Sequence, residues 1–85
     1  MASYRIVLRR SAEKDLEALP QKDRRRVVAR IALLAVEPRP HDCKRLSGEE
    51  KYRLRQGDYR ILYEIVDDDL IVTVVKVAHR RAVYR

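Results

Sequence analysis

Three arginines alternate with apolar residues in a short segment near the middle of the 85-residue chain. The segment turns at residues 57–58, and a two-residue hairpin loop there pairs Arg55 with Arg60. Because side chains alternate between the two faces of a strand, Arg53, Arg55 and Arg60 then share one face. Like charges placed opposite each other destabilise a sheet, so this clustering indicates a surface that binds a polyanion.

The apolar residues of the same segment support this register. Four of them then share the face opposite the arginines: Tyr52, Leu54, Ile61 and Tyr63. Lys51 falls on the arginine side. A slip of one residue would mix apolar and charged side chains on both faces, so we predict a hairpin with one buried face and one cationic face.

The elements before this hairpin are predicted from periodicity and from capping residues. Residues 3–9 alternate as a first strand, and Ser11 is a suitable N-cap for the helix that follows. Pro20 separates that helix from a second one, which is predicted over about residues 21–36. Residues 37–50 are predicted to form a loop.

Three strands complete the predicted fold, over residues 51–56, 59–66 and 70–78. The order β-α-α-β-β-β favours an α+β fold that forms one domain over residues 1–85. An N-terminal strand and a two-helix hairpin are then packed on one face of a four-stranded, antiparallel-rich sheet. The other face of the sheet is left open to a ligand.

The end of the last strand falls close to Arg60 if that strand lies beside the second strand of the hairpin. It is followed by polar residues that would then join the cationic surface: His79, Arg80, Arg81 and Tyr84. Both faces of the last strand are apolar, so the sequence leaves open which side of the sheet its residues occupy.

The composition limits the classes of partner. The formal net charge of +7 and the isoelectric point of about 10.0 favour nucleic acid, an acidic membrane or an acidic protein. The single cysteine, Cys43, can form no internal disulfide, which is compatible with a cytoplasmic location. We identify no signal peptide and no membrane-spanning segment. The isolation of His41 and His79 from other metal-binding residue types argues against a zinc site.

Several short motifs follow one another over nearly the whole chain: Lys44-x-Leu46-x-Gly48, Tyr52-Arg53-x-Arg55, Gly57-Asp58-Tyr59-Arg60, Tyr63 and His79-Arg80-Arg81-x-x-Tyr84. This ordered set resembles the RelE/ParE superfamily of bacterial type II toxins, and most of all its RelE branch of ribosome-dependent mRNA endonucleases. The resemblance implies a RelE-like fold and a toxin that cuts mRNA in the ribosomal A site, without a metal or cofactor, and so inhibits translation.

The resemblance also implies partners. A cognate antitoxin would hold the toxin inactive, and the toxin would meet its mRNA in the 30S subunit of the ribosome. The toxin-antitoxin complex would bind operator DNA through the antitoxin. No membrane partner is implied.

The resemblance assigns catalytic roles residue by residue. Four residues correspond to the cationic catalytic positions, two of which are often lysines in RelE toxins: Arg53, Arg55, Arg60 and Arg80. Arginine stays protonated, so it suits phosphate binding and charge stabilisation better than general base catalysis. Tyr84 corresponds to a tyrosine that stacks on a base, and Tyr84, His79 and Lys51 are the candidates for proton transfer. Arg81 is the alternative to Arg80 at the C-terminal catalytic position, and Lys51 and Arg81 would also contact the substrate.

A basic run lies early in the second predicted helix and includes Arg25 and Arg26. Such a run is most often a solvated helix face, but it can also contact ribosomal RNA phosphates, which require charge and no special geometry. We therefore include Arg25 and Arg26 among the predicted substrate contacts.

Two other functions fit the same residues. A ParE-type toxin would inhibit DNA gyrase by protein contact, with no phosphodiester chemistry of its own. A non-catalytic nucleic-acid-binding module would bind with a steep salt dependence, and no single arginine would be essential to it.

Overall fold

The computed structural model describes residues 3–46 and 50–79, and that part of the chain forms two helices and a five-stranded sheet. The elements are β1 (Arg5–Leu8), α1 (Arg10–Glu17), α2 (Gln21–Leu33), β2 (Lys44–Arg45), β3 (Lys51–Gln56), β4 (Tyr59–Val66) and β5 (Ile71–His79). The strand order across the sheet is β1-β5-β4-β3-β2, with β1 parallel to β5 and the other neighbours antiparallel. The predicted α+β class is confirmed.

The predicted register of the β3–β4 hairpin is also confirmed. Gln56 pairs with Tyr59 next to the turn, and Arg55 pairs with Arg60. The four residues of the predicted apolar face are at most 4% exposed: Tyr52, Leu54, Ile61 and Tyr63. The apolar alternation therefore selects the register, because any slip would bury arginine side chains.

Both helices cover this apolar face of the sheet. Ala12 and Leu16 are the buried residues of α1, and Val27 and Ile31 are those of α2. They belong to one hydrophobic core together with the inward-facing residues of β3, β4 and β5. Neither helix combines the length and the apolar content that crossing a membrane requires.

The prediction of four strands was wrong, because β2 forms inside the predicted loop 37–50. Lys44 pairs with Arg53, and the backbone N–H of Leu46 donates to the carbonyl oxygen of Lys51 at 2.8 Å. This short strand covers part of the edge of β3. Its two residues are too few to show a period, so no strand could be predicted there from the alternation of residues.

The second helix ends earlier than predicted, at Leu33 instead of residue 36. The N–H groups of Leu34, Ala35 and Val36 donate to carbonyls three residues back, at 3.0 to 3.1 Å. Such bonds tighten the last turn of a helix and satisfy its terminal backbone groups.

The predicted N-cap at Ser11 was wrong as well, because α1 begins at Arg10 with Arg9 as its N-cap residue. The Ser11 hydroxyl instead donates to the carbonyl oxygen of Val75 at 2.7 Å, and the carboxylate of Asp15 accepts from the N–H of Val77 at 3.0 Å. These bonds lie along β5 beyond the residues paired with β1. The first helix thus satisfies backbone groups of β5 beyond the end of β1, where β5 has no strand partner on that side among the described residues.

The pairing of β4 with β5 contains a bulge at Val75. The bulge reverses which side of the sheet the later residues of β5 face. Tyr63 pairs with Val74, whereas Leu62 pairs with Lys76, so Val75 is an extra residue in β5. Without it, Lys76 would lie opposite the buried Ile61 and face the core. With it, Val77 takes that position, at 3% exposure, and Lys76 is exposed. The bulge therefore keeps a charged side chain out of the core.

Candidate nucleic-acid interface

Four cationic residues of β3 and β4 lie on the side of the sheet away from the helices, and we call this surface the arginine face: Lys51, Arg53, Arg55 and Arg60. Each alternates along its strand with a buried residue. Arg55 lies directly opposite Arg60, so their Cβ atoms are about 5 Å apart. The structure thus brings together three of the predicted catalytic residues on a surface that the helices leave uncovered.

The turn at Gly57 places this pair at the tip of the hairpin. Gly57 has a φ of +60°, and the next residue, Asp58, has no positive φ, as in a type II′ turn. The Tyr59 hydroxyl donates to the carboxylate of Asp23 in α2 at 3.0 Å. Burial, and then this contact with Asp23, raise the pKa of Tyr59. The hairpin tip is therefore attached to the helix layer on the side away from Arg55.

An acidic side chain balances the other end of the arginine face. Glu64 lies on β4 opposite Lys51, with carboxylate oxygens 3.9 Å from the Lys51 amine and 3.4 Å from the Arg9 guanidinium. Glu64 lies four positions after Arg60 in β4, which is about 13 Å along a strand. The positive charge is thus concentrated at the end formed by the hairpin tip.

A polar cleft of about 440 Å³ opens beside the arginine face, between the hairpin and the segment that leads into β2. Its lining residues are Asp42, Lys44, Arg53, Arg55 and Gly57. Lys44 lies directly opposite Arg53, and Asp42 forms an ion pair with Arg30 of α2. Sequence reasoning gave no role to Lys44, although the residue opens one of the motifs noted above. Its position became evident only with the pairing of β2.

His79 lies on the other side of the sheet. It pairs with Tyr59, and the two rings make an edge-to-face contact with centroids 5.5 Å apart. Tyr59 belongs to the helix-facing side, through its bond to Asp23 and its packing against the core. His79 is close to Arg60 along the sheet, since Arg60 pairs with Ala78, but it does not share the arginine face.

The remaining predicted site residues are distributed as follows. Arg25 and Arg26 are exposed on α2, in the helix layer, and Arg26 borders a small polar cavity beside the hairpin turn. Arg80, Arg81 and Tyr84 lie outside the described residues.

A polar cluster holds the opposite end of the hairpin in place. The Arg39 guanidinium donates to both carboxylate oxygens of Asp67, at 3.1 and 2.8 Å, and its Nε donates to the Tyr52 hydroxyl at 2.9 Å. The Tyr4 hydroxyl also donates to Asp67, at 2.7 Å. Hydrogen bonds from Arg39 and then Tyr4 hold the pKa of Asp67 below its ordinary value. One cluster thus joins the residue before β1, the β4–β5 turn, the segment after α2, and β3.

Comparison with known proteins gives the same family as the motifs. The family model described as the ParE toxin of type II toxin-antitoxin systems, parDE, matches residues 6–84. A protein named as a RelE1 toxin from Methanocaldococcus jannaschii is 31% identical, over 96% of both chains. The toxin RelE of Mycobacterium tuberculosis is 30% identical, over 96% of this chain and 87% of the relative.

Similar solved structures belong to the same family. The archaeal RelE-RelB complex from Pyrococcus horikoshii matches with a TM-score of 0.81 at 28% identity, over 94% of this chain and 98% of that chain. The toxin-antitoxin complex RelBE2 of Mycobacterium tuberculosis matches with a TM-score of 0.77 at 32% identity, over 92% and 99% of the two chains. The fold is that of a type II toxin. The chain belongs to the RelE/ParE superfamily, and its named relatives place it on the RelE branch.

Proposed function

We propose that this toxin is an endoribonuclease that cuts mRNA in the A site of the 30S ribosomal subunit and so stops translation in the cytoplasm. The observation that carries the proposal is the arginine face, where Arg53, Arg55 and Arg60 from two strands lie together on the side of the sheet away from the helices. The RelE names of the relatives support the same activity.

The proposed reaction is an internal transesterification of RNA. The 2′-oxygen forms a bond to the adjacent phosphorus as the bond from phosphorus to the 5′-oxygen breaks. The products are a 2′,3′-cyclic phosphate and a 5′-hydroxyl. One proton leaves the 2′-hydroxyl and one reaches the departing 5′-oxygen, while extra negative charge develops on the phosphate.

We assign charge stabilisation to the arginines and proton transfer to other groups. Guanidinium groups donate paired hydrogen bonds to phosphate oxygens and stay protonated, so they stabilise the developing charge without accepting a proton. Arg80 would complete the set. Tyr84 and Lys51 are the proposed proton-transfer groups, and we assign His79 a positioning role because its ring lies against Tyr59 on the helix side.

The test is cleavage of mRNA on programmed ribosomes, with the ends of the products mapped. The wild type is expected to cut in the A site. Arg60→Ala is expected to cut about 10²- to 10³-fold more slowly, which is typical for loss of one transition-state donor. Arg10→Ala, an exposed arginine on α1, is the matched control and keeps the wild-type rate. No A-site product from the wild type, or equal rates for wild type and Arg60→Ala, would exclude the proposal.

We also propose that a cognate antitoxin protein inhibits this toxin and that the complex binds operator DNA through the antitoxin. Solved relatives crystallised as RelE-RelB complexes support a protein partner. The test is co-expression with the product of a neighbouring small open reading frame. Restored growth together with a stable co-purified complex supports the partnership, and persistent growth arrest contradicts it.

The ParE description of the matching family model favours one alternative, inhibition of DNA gyrase. Induction of the toxin separates the two functions. An mRNA endonuclease stops amino-acid incorporation at once, whereas a gyrase inhibitor first produces DNA damage and filamentous cells.

A further inference from the structure

We propose that the cleft beside Lys44 binds a second phosphate of the RNA, next to the phosphate that is cut. This inference rests on the proposed function and extends the arginine face to a further residue, Lys44, on its β2 side. The site is lined by Lys44 of β2 together with Arg53 and Arg55 of β3.

The first support is the direction in which the positive charge extends. Lys44 lies opposite Arg53, and Arg55 lies opposite Arg60, so cations occupy three adjacent strands. Adjacent strands are about 4.8 Å apart, and two residues along a strand cover about 6.7 Å. The backbone positions of Lys44 and Arg60 are therefore about 12 Å apart. A row of this length can contact more than one phosphate, since an RNA strand carries one phosphate per nucleotide.

The second support is the shape of the site. The arginine face itself is a sheet surface, but Lys44 is at the wall of a cleft of about 440 Å³ that is lined mainly by charged side chains. A concave wall brings several donors to one anion. Lys44 is exposed, so its flexible amine can reach an anion held in the cleft.

The third support concerns the acid in the cleft. Asp42 is the one acidic residue among the lining residues, and it forms an ion pair with Arg30 of α2. Its negative charge is therefore compensated from the helix side. The net charge of the lining remains positive, which favours a phosphate and disfavours a metal ion.

The direct test measures binding of a fluorescent single-stranded RNA that carries a 2′-O-methyl group at the cleavage site, so that it cannot be cut. Lys44→Ala is expected to weaken binding about 5- to 10-fold at low salt and to reduce the slope of log affinity against log salt by about 0.7, the value for one lost phosphate contact on a single strand. Lys14→Ala, an exposed lysine on α1, is the control and should match the wild type. Lys44→Arg should retain the affinity.

A neutral methylphosphonate placed at one phosphate at a time locates the contact. At the phosphate held by the cleft, the methylphosphonate weakens binding to the wild-type protein. At that same phosphate, Lys44→Ala then causes no further loss of affinity. If the two effects simply add at every phosphate, or if Lys44→Ala and Lys14→Ala bind alike, the second phosphate site does not exist.

These readouts separate the inference from the proposed function. If the wild type cuts mRNA on ribosomes but Lys44→Ala binds RNA normally, the cleft proposal fails and the endonuclease stands. If the wild type does not cut but the methylphosphonate result holds, the cleft binds RNA and the endonuclease proposal fails. For an active toxin, Lys44→Ala should raise KM and leave kcat nearly unchanged, since Lys44 contacts a phosphate other than the one that is cut.

Discussion

At the scale of single residues, arginine chemistry both enables and limits the proposed site. Arg55 and Arg60 lie directly opposite each other, an arrangement that costs a few tenths to about 1 kcal/mol through like-charge repulsion. A phosphate bound between them would relieve that repulsion. In the proposed cleavage, neither guanidinium can accept the proton of the 2′-hydroxyl, so the proposed reaction requires another group.

A substitution at His79 tests whether this histidine is the group that accepts the proton. Because its ring contacts Tyr59 on the helix side, His79→Gln is expected to lower single-turnover cleavage on ribosomes less than 10-fold and to leave the pH dependence between about pH 5 and 8 unchanged. Tyr84→Phe serves as the comparison, since Tyr84 is a proposed proton-transfer residue. Disappearance of a pH-dependent limb in His79→Gln alone would show that His79 transfers the proton.

At the scale of secondary-structure elements, the hairpin turn determines where the arginines stand. Gly57 has a φ of +60°, a conformation that costs a residue with a Cβ atom roughly 1–2 kcal/mol, although the space around its Cα is open. The turn is therefore a place where conformation alone, without any clash, affects stability.

Gly57→Ala is expected to reduce the free energy of unfolding in urea by about 1 kcal/mol. Gly57→Asn should lose less, because asparagine tolerates the left-handed region better than alanine does. Equal losses for the two variants, or no loss for alanine, would contradict the assigned turn conformation. Arg60 should remain functional in the asparagine variant if the hairpin register is preserved.

At the scale of the whole molecule, the Arg39–Asp67 cluster ties together segments that are distant in sequence. Tyr4 and Asp67 are 63 residues apart in the chain, yet they share a hydrogen bond. The cluster also holds Tyr52, whose ring stacks on Tyr63 at 5.7 Å in the layer beneath the arginine face. Its integrity therefore affects both the fold and the placement of β3.

The lowered pKa of Asp67 predicts a pH-dependent stability. A carboxyl whose pKa is lower in the folded state contributes stability above its unfolded pKa, about 3.9, and that contribution is lost as the pH falls through the folded pKa. At pH 7, the free energy of unfolding measured in urea should be larger for the wild type than for Asp67→Asn. This difference should shrink below about pH 4. Asp69→Asn, an exposed aspartate of the same turn, is the control. A difference that stays constant from pH 7 to pH 3 would contradict this role for Asp67.

The sequence by itself determined the hairpin, its register and its cationic face. These follow from local rules, because apolar and charged residues alternate with period two around a turn that contains glycine. The motifs along the chain also identified the superfamily. Lys44 was missed because a two-residue strand has no period of its own and forms only by pairing with β3.

Only the tertiary structure decided which side of the sheet His79 occupies. Both faces of β5 are apolar, so its parity could not be read from its own residues. The extra residue at Val75 shifts the pairing with β4, places Val77 in the core and keeps Lys76 out of it. The same shift carries His79 away from the arginine face and against Tyr59. A single bulge, required by the burial cost of one lysine, thus separates the histidine from the arginines.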